Sequence, residues 1–345
     1  MKSVFFILNV GERYGFGHFI RCVNLKSIFN KKKIFFLIKK NQLKFVKSYS
    51  DKKIKYLLLS NNNIIKQDRI ILNYIKKFNC DRVITDLYTD NEIRNTKLIK
   101  NFHYKIKKQK NIKLLSISDV RVKNNISDFV FIPNSLRNKI FKNKKNQITF
   151  GGLNYNYLKS QKINSNVKQP KEFRVLSIFL SAKNRNKEIK MILEAILKSD
   201  LPIKKINIFS NFKIKNLMYK KFYDQKIIIR FFKIDKNFLK ILSKSDIFIT
   251  SEGTAKYDSL ALGVTTCVVS FFNYKNKLIS DLVKKNFLFF LGYSKKITKN
   301  IIKDKLNYLN NNKLLKNKIF NNQIKNFDTN GLYRFKKVLK TYMYI

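Results

Sequence analysis

Two short segments of this chain combine glycine with residue types that do chemistry. The first reads GERYGFGHFIRC from Gly11 to Cys22, and it holds three of the nine glycines and one of the two histidines, His18. An apolar run at residues 4–8 precedes it and a helical apolar pattern follows, so the order predicts a strand, a glycine turn and a helix. Such a helix N-terminus favours an anion and an uncharged imidazole. His18 is therefore a candidate neutral base, and the alternative is an ordinary tight turn with a histidine near the helix cap.

The second segment reads SEGTAKYDSLALGV from Ser251 to Val264, directly after an apolar run. Gly253 and Thr254 stand where a helix should begin, and backbone amides with a hydroxyl are suited to holding a diphosphate. Asp258 follows one helical turn after Thr254, where it could accept hydrogen bonds from a ribose. The alternative is again a plain strand–helix turn with a capping residue.

Short apolar runs alternate with longer helical patterns along the whole chain, which is typical of parallel sheets covered by helices. The polar segment 159–171, which contains Pro170 and shows no periodicity, is predicted to link a domain at 1–158 to a domain at 172–345 that includes a helical tail. We expect an α/β fold with ligands bound at the carboxyl ends of the strands, in a cleft between the domains. The runs predicted as strands are 4–8, 34–38, 54–59, 82–85, 113–117, 129–132, 175–179, 205–209, 227–231, 247–250, 266–270 and 288–291.

The composition indicates which kinds of partner this protein can have. The net charge is +53, from 74 Lys+Arg against 21 Asp+Glu, which suggests polyanionic partners when taken literally. The lysines, however, are scattered among abundant Asn, Ile and Phe, as codon usage rich in A and T would produce. We therefore expect a solvated basic surface with no specific nucleic-acid partner, while peripheral contact with an anionic membrane stays possible.

The cysteines and the apolar runs point to a cytoplasmic chain. Cys22, Cys80 and Cys267 have no CxxC or metal-type spacing, and their odd number argues against a disulfide framework. No apolar run is long enough for a secretory signal or a membrane span. We expect reduced thiols and no metal site.

The pattern GxGHxxRC at residues 15–22, with the later GTxxYDxLALG at 253–263, resembles the UDP-2,4-diacetamido-2,4,6-trideoxy-β-L-altropyranose hydrolases of pseudaminic acid biosynthesis and the related spore-coat polysaccharide proteins. Weaker similarities lie between these anchors, and the resemblance spans about residues 3 to 293. It implies a GT-B fold, in which two Rossmann-like domains face each other across a cleft. The weaker segments are Thr85–Tyr88, Ile117–Asp119, Phe131–Asn134 and Gly152–Leu158.

The resemblance implies that water cleaves the bond between sugar C1 and UDP, with inversion at C1. His18 matches the base and Tyr88 matches a tyrosine near the sugar, while Asp86 could orient the water or a sugar hydroxyl. One base suffices because UDP leaves with little protonation, whereas ordinary inverting glycosidases need two carboxyl groups. No cofactor is implied. The residues assigned to the nucleotide-sugar substrate are Gly15, Gly17, Arg21, Asn134, Glu252, Gly253, Thr254 and Asp258.

Two turns depart from the family pattern. Leu180–Lys183 stands where the family has a Gly-Gly turn, and Glu252 replaces a glycine of the second segment. A carboxylate about 4 Å from a phosphate costs about 4 kcal/mol at an effective dielectric near 20, unless Lys183 or Lys256 offsets it. We therefore expect Glu252 to point at the ribose or at a different sugar.

These departures leave two other functions open. One is a glycosyltransferase that passes the sugar of a nucleotide-sugar donor to an acceptor other than water. The other is a catalytically inactive polyanion-binding protein built on the same scaffold.

The sequence also predicts the surroundings of Arg21, His103 and Cys22. Arg21 either binds a substrate carboxylate or phosphate, or pairs with an acid such as Asp86. His103, in an aromatic and basic helical stretch, is expected at the surface or its boundary, and Cys22 in the core.

Overall fold

The computed structural model describes residues 2–10, 17–47, 54–88, 96–118, 125–133, 139–142, 146–156, 169–181, 184–210, 219–235, 237–271, 276–342 and 344–345. The chain divides into two compact units, residues 1–160 with 330–345 and residues 161–329. Each unit is built on its own sheet.

The first unit is an eight-stranded sheet with the order β3-β2-β1-β4-β5-β6-β8-β7, in which all neighbouring strands are parallel except β7 and β8. The order reverses between β1 and β4, as in a Rossmann sheet. Its strands are β1 (Ser3–Leu8), β2 (Lys33–Lys39), β3 (Lys55–Leu59), β4 (Cys80–Tyr88), β5 (Lys113–Ser118), β6 (Phe129–Ile132), β7 (Lys139–Lys142) and β8 (Ile148–Gly151). Its helices are α1 (Gly17–Lys26), α2 (Leu43–Lys47), α3 (Asp68–Lys77), α4 (Thr96–Lys107) and α12 (Gly331–Thr341).

The second unit repeats this arrangement with six parallel strands in the order β11-β10-β9-β12-β13-β14, which reverses between β9 and β12. The strands are β9 (Val175–Phe179), β10 (Lys205–Phe209), β11 (Ile228–Phe232), β12 (Ile247–Thr250), β13 (Thr265–Ser270) and β14 (Phe289–Tyr293). The helices are α5 (Asn186–Leu197), α6 (Tyr219–Asp224), α7 (Phe238–Leu242), α8 (Ala255–Ala261), α9 (Asn276–Lys284), α10 (Lys299–Asn311) and α11 (Lys313–Asn326).

Buried central strands explain why the sequence shows continuous apolar runs. Every residue of β1 is buried, as is every residue of β12 and β13. Strands with helices on both faces of the sheet bury both sets of side chains, so their sequences lack polar alternation. The predicted strands are all confirmed, with ends that differ by a few residues.

Strands β7 and β8 are absent from the sequence prediction. The sequence of β7, KIFK, is half lysine, and that of β8, ITFG, ends in glycine and runs directly into Gly152, a residue typical of turns, so neither stands out as a strand. Gly151 is required here because a Cβ atom would lie 2.1 Å from the backbone oxygen of Ile132 on β6. Gly152 has φ of 115°, which favours glycine as well.

The C-terminal residues belong to the first unit, whereas the sequence analysis places all of 172–345 in the second domain. On α12, Phe335 packs against Phe131 and Phe150, with ring centroids 4.9 and 5.0 Å away. Tyr344 is fully buried, and its hydroxyl donates a hydrogen bond of 3.0 Å to the carbonyl of Val83. Most of the predicted linker 159–171 lies outside the described residues.

The helices of the described ranges include none with the length and apolar character needed to cross a membrane.

Candidate active site

The first unit brings His18 and Asp86 together where its strand order reverses. Asp86 lies near the end of β4, in register with Leu8, the last residue of β1. After β1 the chain enters α1, which begins at Gly17, one residue before His18. Open α/β sheets bind ligands outside the carboxyl ends of the strands at this reversal point. The pair therefore occupies the position where such a fold presents its chemistry.

The helix α1 presents His18, Arg21 and Cys22 on its buried side. Its buried residues also include Phe19 and Leu25, and the spacing 18, 21, 22, 25 marks one face of a helix. Polar groups on a buried face need partners inside the protein. Asp86, which is fully buried, is the partner of all three.

The contacts of His18 at Nδ1 bear on the position of the imidazole proton. Nδ1 of His18 lies 2.7 Å from Oδ1 of Asp86 and 2.8 Å from Nη2 of Arg21. An ionised carboxylate only accepts hydrogen bonds, so the contact with Asp86 requires a proton on Nδ1, whereas a guanidinium only donates and its contact requires the lone pair there. With the proton on Nδ1, the lone pair lies on Nε2, which is the form that a base needs. The side chain of His18 keeps 11% of its surface exposed, which leaves the imidazole at the edge of the solvent.

Arg21 forms a two-pronged ion pair with the same carboxylate. Its Nε donates to Oδ2 of Asp86, and its Nη2 donates to Oδ1 and also lies 2.8 Å from Nδ1 of His18. Of the two roles open for Arg21 in the sequence, the structure shows the pairing with Asp86. Burial by itself raises the pKa of Asp86, but the charge of Arg21, together with the hydrogen bonds of Arg21 and His18, outweighs it and holds that pKa below its usual value. Asp86 is therefore an anion at neutral pH.

Cys22 completes this group as a neutral thiol. Its Sγ lies 3.9 Å from Oδ2 of Asp86, and the residue is fully buried. Burial, and then the negative charge of Asp86, raise the pKa of the Cys22 thiol well above its usual value. This agrees with the expectation of a core residue, because a nucleophilic cysteine needs a lowered pKa.

For the other predicted residues of the first unit, the structure gives only a position in the fold, or the residue lies outside the described part of the chain. Tyr88 is the last residue of β4 and pairs with Ser118 of β5 in the sheet register, two residues beyond Asp86. Gly17 is the first residue of α1. Gly15 and Asn134 lie outside the described residues, as do Asp119 and Lys183.

The second unit places the other predicted residues at the matching reversal point, between β9 and β12. Thr250 ends β12, and its hydroxyl donates a 2.7 Å hydrogen bond to the carbonyl of Phe179 at the end of β9. The amide of Gly253 donates to Oγ of Ser251 over 3.3 Å, and an exposed Thr254 precedes α8. Asp258 lies on α8 and is 9% exposed.

Glu252 is buried and hydrogen-bonded to the backbone of a neighbouring strand end. It is 3% exposed, and its two carboxylate oxygens accept hydrogen bonds of 3.0 and 3.1 Å from the backbone N–H of Phe271, the residue after β13. The buried Lys256 donates to the carbonyls of Glu252 and Gly253 over 2.8 and 3.0 Å. The carboxylate therefore joins the ends of β12 and β13, and the expected contact with ribose or a different sugar stays a prediction.

Arg185 is a polar residue of this edge that the sequence analysis does not single out. It directly precedes α5, and its guanidinium carbon lies 3.9 Å from the ring centroid of Phe271. No local signal in the sequence distinguishes Arg185 from the many other basic residues.

The expectation that His103 lies at or near the surface is wrong. It is fully buried on α4, with Nε2 2.9 Å from the Thr85 hydroxyl and Nδ1 3.4 Å from that of Ser127. Burial lowers its pKa to about 3, so the ring is neutral. The buried face of α4, at 99, 102, 103 and 106, includes His103 because it follows helical spacing rather than polarity.

Solved structures of known proteins resemble this chain. No family model matches the sequence, and no curated protein matches it. Among solved structures, MurG of Acinetobacter baumannii is 12% identical with a TM-score of 0.68, over 99% of this chain and 100% of that chain. UGT89C1 of Arabidopsis thaliana, complexed with UDP, is 10% identical with a TM-score of 0.64, over 100% of both chains. The fold is GT-B.

A third similar structure is a putative UDP-N-acetylglucosamine 2-epimerase from Listeria monocytogenes, 14% identical with a TM-score of 0.57, over 99% of this chain and 97% of that chain. At such identities the likeness shows the GT-B fold alone, and one fold hosts many reactions. The chemistry of this chain therefore depends on its own residues at the two strand-order reversals.

Proposed function

We propose that this protein hydrolyses a UDP-linked amino-deoxy sugar at C1, with inversion and release of UDP, in the biosynthesis of a nonulosonic acid such as pseudaminic acid. The observation that carries the proposal is the His18–Asp86 contact at the strand-order reversal of the first sheet. The motif around His18, and the names of structures with the same fold, which include a complex with UDP, support a UDP-sugar as the substrate.

His18 would act as the general base. Its Nε2 takes a proton from water, the water oxygen bonds to sugar C1, and the bond between C1 and the UDP oxygen breaks. The imidazolium that forms is stabilised by the Asp86 carboxylate 2.7 Å from Nδ1, which also keeps the ring in the reactive tautomer. Arg21 holds Asp86 in place, so we assign it a positioning role through that carboxylate.

The leaving group needs little help from an acid. UDP departs as a stable anion, so one base is sufficient where inverting glycosidases use two carboxyl groups. Tyr88, two residues after Asp86 on β4, would contact the sugar. The turn at Gly253 and Thr254, with Asp258 on the helix that follows, would bind the nucleotide. Gly15 and Gly17 would leave room for the sugar, and Asn134 would bind it.

The experiment is incubation of the purified protein with UDP-2,4-diacetamido-2,4,6-trideoxy-β-L-altropyranose in water enriched in oxygen-18. We expect UDP without the label, free sugar with the label on C1, and the opposite anomer in the first NMR spectra. His18→Ala should lower the rate by about 10²- to 10⁴-fold, the usual contribution of a general base. His103→Gln, at the only other histidine, is the matched control and should keep the rate.

Three results would contradict parts of this proposal. Full activity in His18→Ala would remove the base. Label in the phosphate of the nucleotide would place the cleavage at phosphorus. Sugar release only in the presence of an acceptor, with the sugar attached to it, would establish glycosyl transfer instead. A panel of UDP-sugars then identifies the substrate, since the turn at 180–183 and Glu252 depart from the family pattern.

A further inference from the structure

Three strands of the second sheet end beside one another, and each end contributes one residue to a connected group. Arg185 lies between β9 and α5, Glu252 follows β12, and Phe271 follows β13. These strands are neighbours in the order β9-β12-β13 and run parallel, so their carboxyl ends share one edge. That edge includes the reversal point, where α/β sheets bind ligands.

The guanidinium of Arg185 is held in place but not saturated. Its carbon lies 3.9 Å from the centroid of the Phe271 ring, and Nη1 donates to Oε1 of Glu188 over 3.2 Å. Within the described part of the chain, Nη2 has no hydrogen-bond partner, and neither has Nε, which is buried. The side chain keeps 22% of its surface exposed. Buried donors without partners are rare in folded proteins, and a fixed Arg fork with free donors suits a phosphate group.

Glu252 holds the backbone of Phe271, the residue whose ring lies against Arg185. Both of its carboxylate oxygens accept from the backbone N–H of Phe271, and the side chain is 3% exposed. The negative charge is therefore used inside the protein to hold Phe271. The contacts run from Glu252 to the Phe271 backbone, and from the Phe271 ring to the Arg185 guanidinium.

We propose that Arg185 binds the diphosphate of the nucleotide and that Glu252 is a positioning residue that acts on it through Phe271. This inference rests on the proposed function, since the ligand is the nucleoside diphosphate that the reaction releases. A cation at this place stabilises the charge that develops on the departing oxygen. The same role would explain both departures from the family pattern. The guanidinium of Arg185 would replace the glycine amides that the family has at 180–183, and Glu252 would hold that guanidinium in position.

The test compares the affinities of UDP, UMP and uridine by calorimetry. Arg185→Met keeps the length of the side chain and removes the charge. We expect it to weaken UDP binding by tenfold to a hundredfold, UMP binding less, and uridine binding by less than twofold. Arg185→Lys keeps the charge without the fork and should fall between. Arg174→Met, at an exposed arginine of the same unit that pairs with Glu172, is the control and should bind UDP as the wild type does.

A double-mutant cycle tests the role of Glu252. Glu252→Ala should weaken UDP binding several-fold in the wild-type background and have no further effect in Arg185→Met. Uridine binding should stay unchanged in both. A purely structural role of Glu252 would instead lower uridine affinity equally in both backgrounds. Thermal unfolding of each variant identifies those that fail to fold, and Arg185→Lys carries the test if Arg185→Met is among them.

The outcomes separate this inference from the proposed function. Wild-type affinity for UDP in Arg185→Met or Arg185→Lys, with uridine bound normally, would overturn the diphosphate contact and leave the reaction at His18 untouched. Equal losses for UDP and uridine in Arg185→Met would also overturn it. Failure of the wild type to bind UDP at all would overturn both.

Discussion

Asp86→Asn is the substitution that tests the centre of the first unit most directly. The change keeps the size of the side chain and removes its charge. In the wild type the carboxylate accepts from Nδ1 of His18 and from Nε and Nη2 of Arg21. An amide has a single oxygen acceptor, and its NH₂ group would face at least one of these donors.

The expected loss of stability follows from burial. Asp86 is 0% exposed and Arg21 is 6% exposed, so the substitution leaves a buried guanidinium without a counter-charge. Breaking a buried pair in this way costs about 3–5 kcal/mol. Since whole domains are stable by about 5–15 kcal/mol, the variant should fold but unfold at a much lower urea concentration.

The pH dependence has a defined sign. The Asp86 pKa is lower in the folded state than the value of about 3.9 in the unfolded chain. Its stabilising contribution is therefore present above about pH 4 and is lost as the pH falls through the folded value. The difference in unfolding free energy between wild type and Asp86→Asn should shrink below about pH 4.

Activity provides the second measurement. Without the carboxylate, the Nε2 lone pair of His18 is no longer enforced, and UDP release should fall by about 10²- to 10⁴-fold. Asp81→Asn is the matched control, because Asp81 is 5% exposed and pairs with Lys32 and Arg82 in the same unit. It should lose stability and keep activity per folded molecule. An Asp86→Asn variant within 1 kcal/mol of the wild type at pH 7, or equally active, would refute the reasoning.

Three further predictions test the fold. Gly151→Ala should lower the unfolding free energy measured in urea by about 3 kcal/mol, because the new Cβ would lie 2.1 Å from a backbone oxygen. Gly253→Ala is the control and should lower it clearly less, because the nearest atom to its Cβ would be 3.4 Å away. Equal losses of stability in the two variants would contradict this prediction. His103→Gln should remove a dependence of stability on pH, because the His103 pKa is about 3 in the folded protein and about 6.5 in the unfolded chain. Between pH 7 and pH 5 the unfolding free energy of the wild type should fall by about 2 kcal/mol relative to that of the variant. Unfolding free energies that change in parallel over this range would contradict the prediction. Tyr344→Ala should destabilise the first unit by about 3–5 kcal/mol, because the ring is fully buried; a loss under 1 kcal/mol would show that the C-terminal residues do not belong to that unit.

The fold was predictable where burial is uniform along a strand. The runs at 4–8 and 247–250 are fully buried on both faces, so their apolar character is continuous and visible in the sequence. The edge strand β7 carries lysine at both ends, and no periodicity marks it. The tail at 330–345 has a clear helical pattern, but a pattern does not say which sheet a helix covers.

Part of the candidate site was predictable because helical spacing is a local property of the sequence. Spacing places His18, Arg21 and Cys22 on one face of a helix. Their distance from Asp86 depends on the register of β1 with β4, which the sequence does not contain. Arg185 and Phe271 are far apart in the chain, and only the adjacency of β9, β12 and β13 makes them neighbours.

The sequence by itself determined that this chain forms two parallel α/β sheets and that glycine turns follow particular strands, because both depend on local periodicity and backbone geometry. The tertiary structure decided which charges meet. Asp86 pairs with Arg21 and His18, Glu252 bonds to the backbone of Phe271, and His103 is buried. Each of these contacts depends on strand order and register between residues that are far apart in the chain.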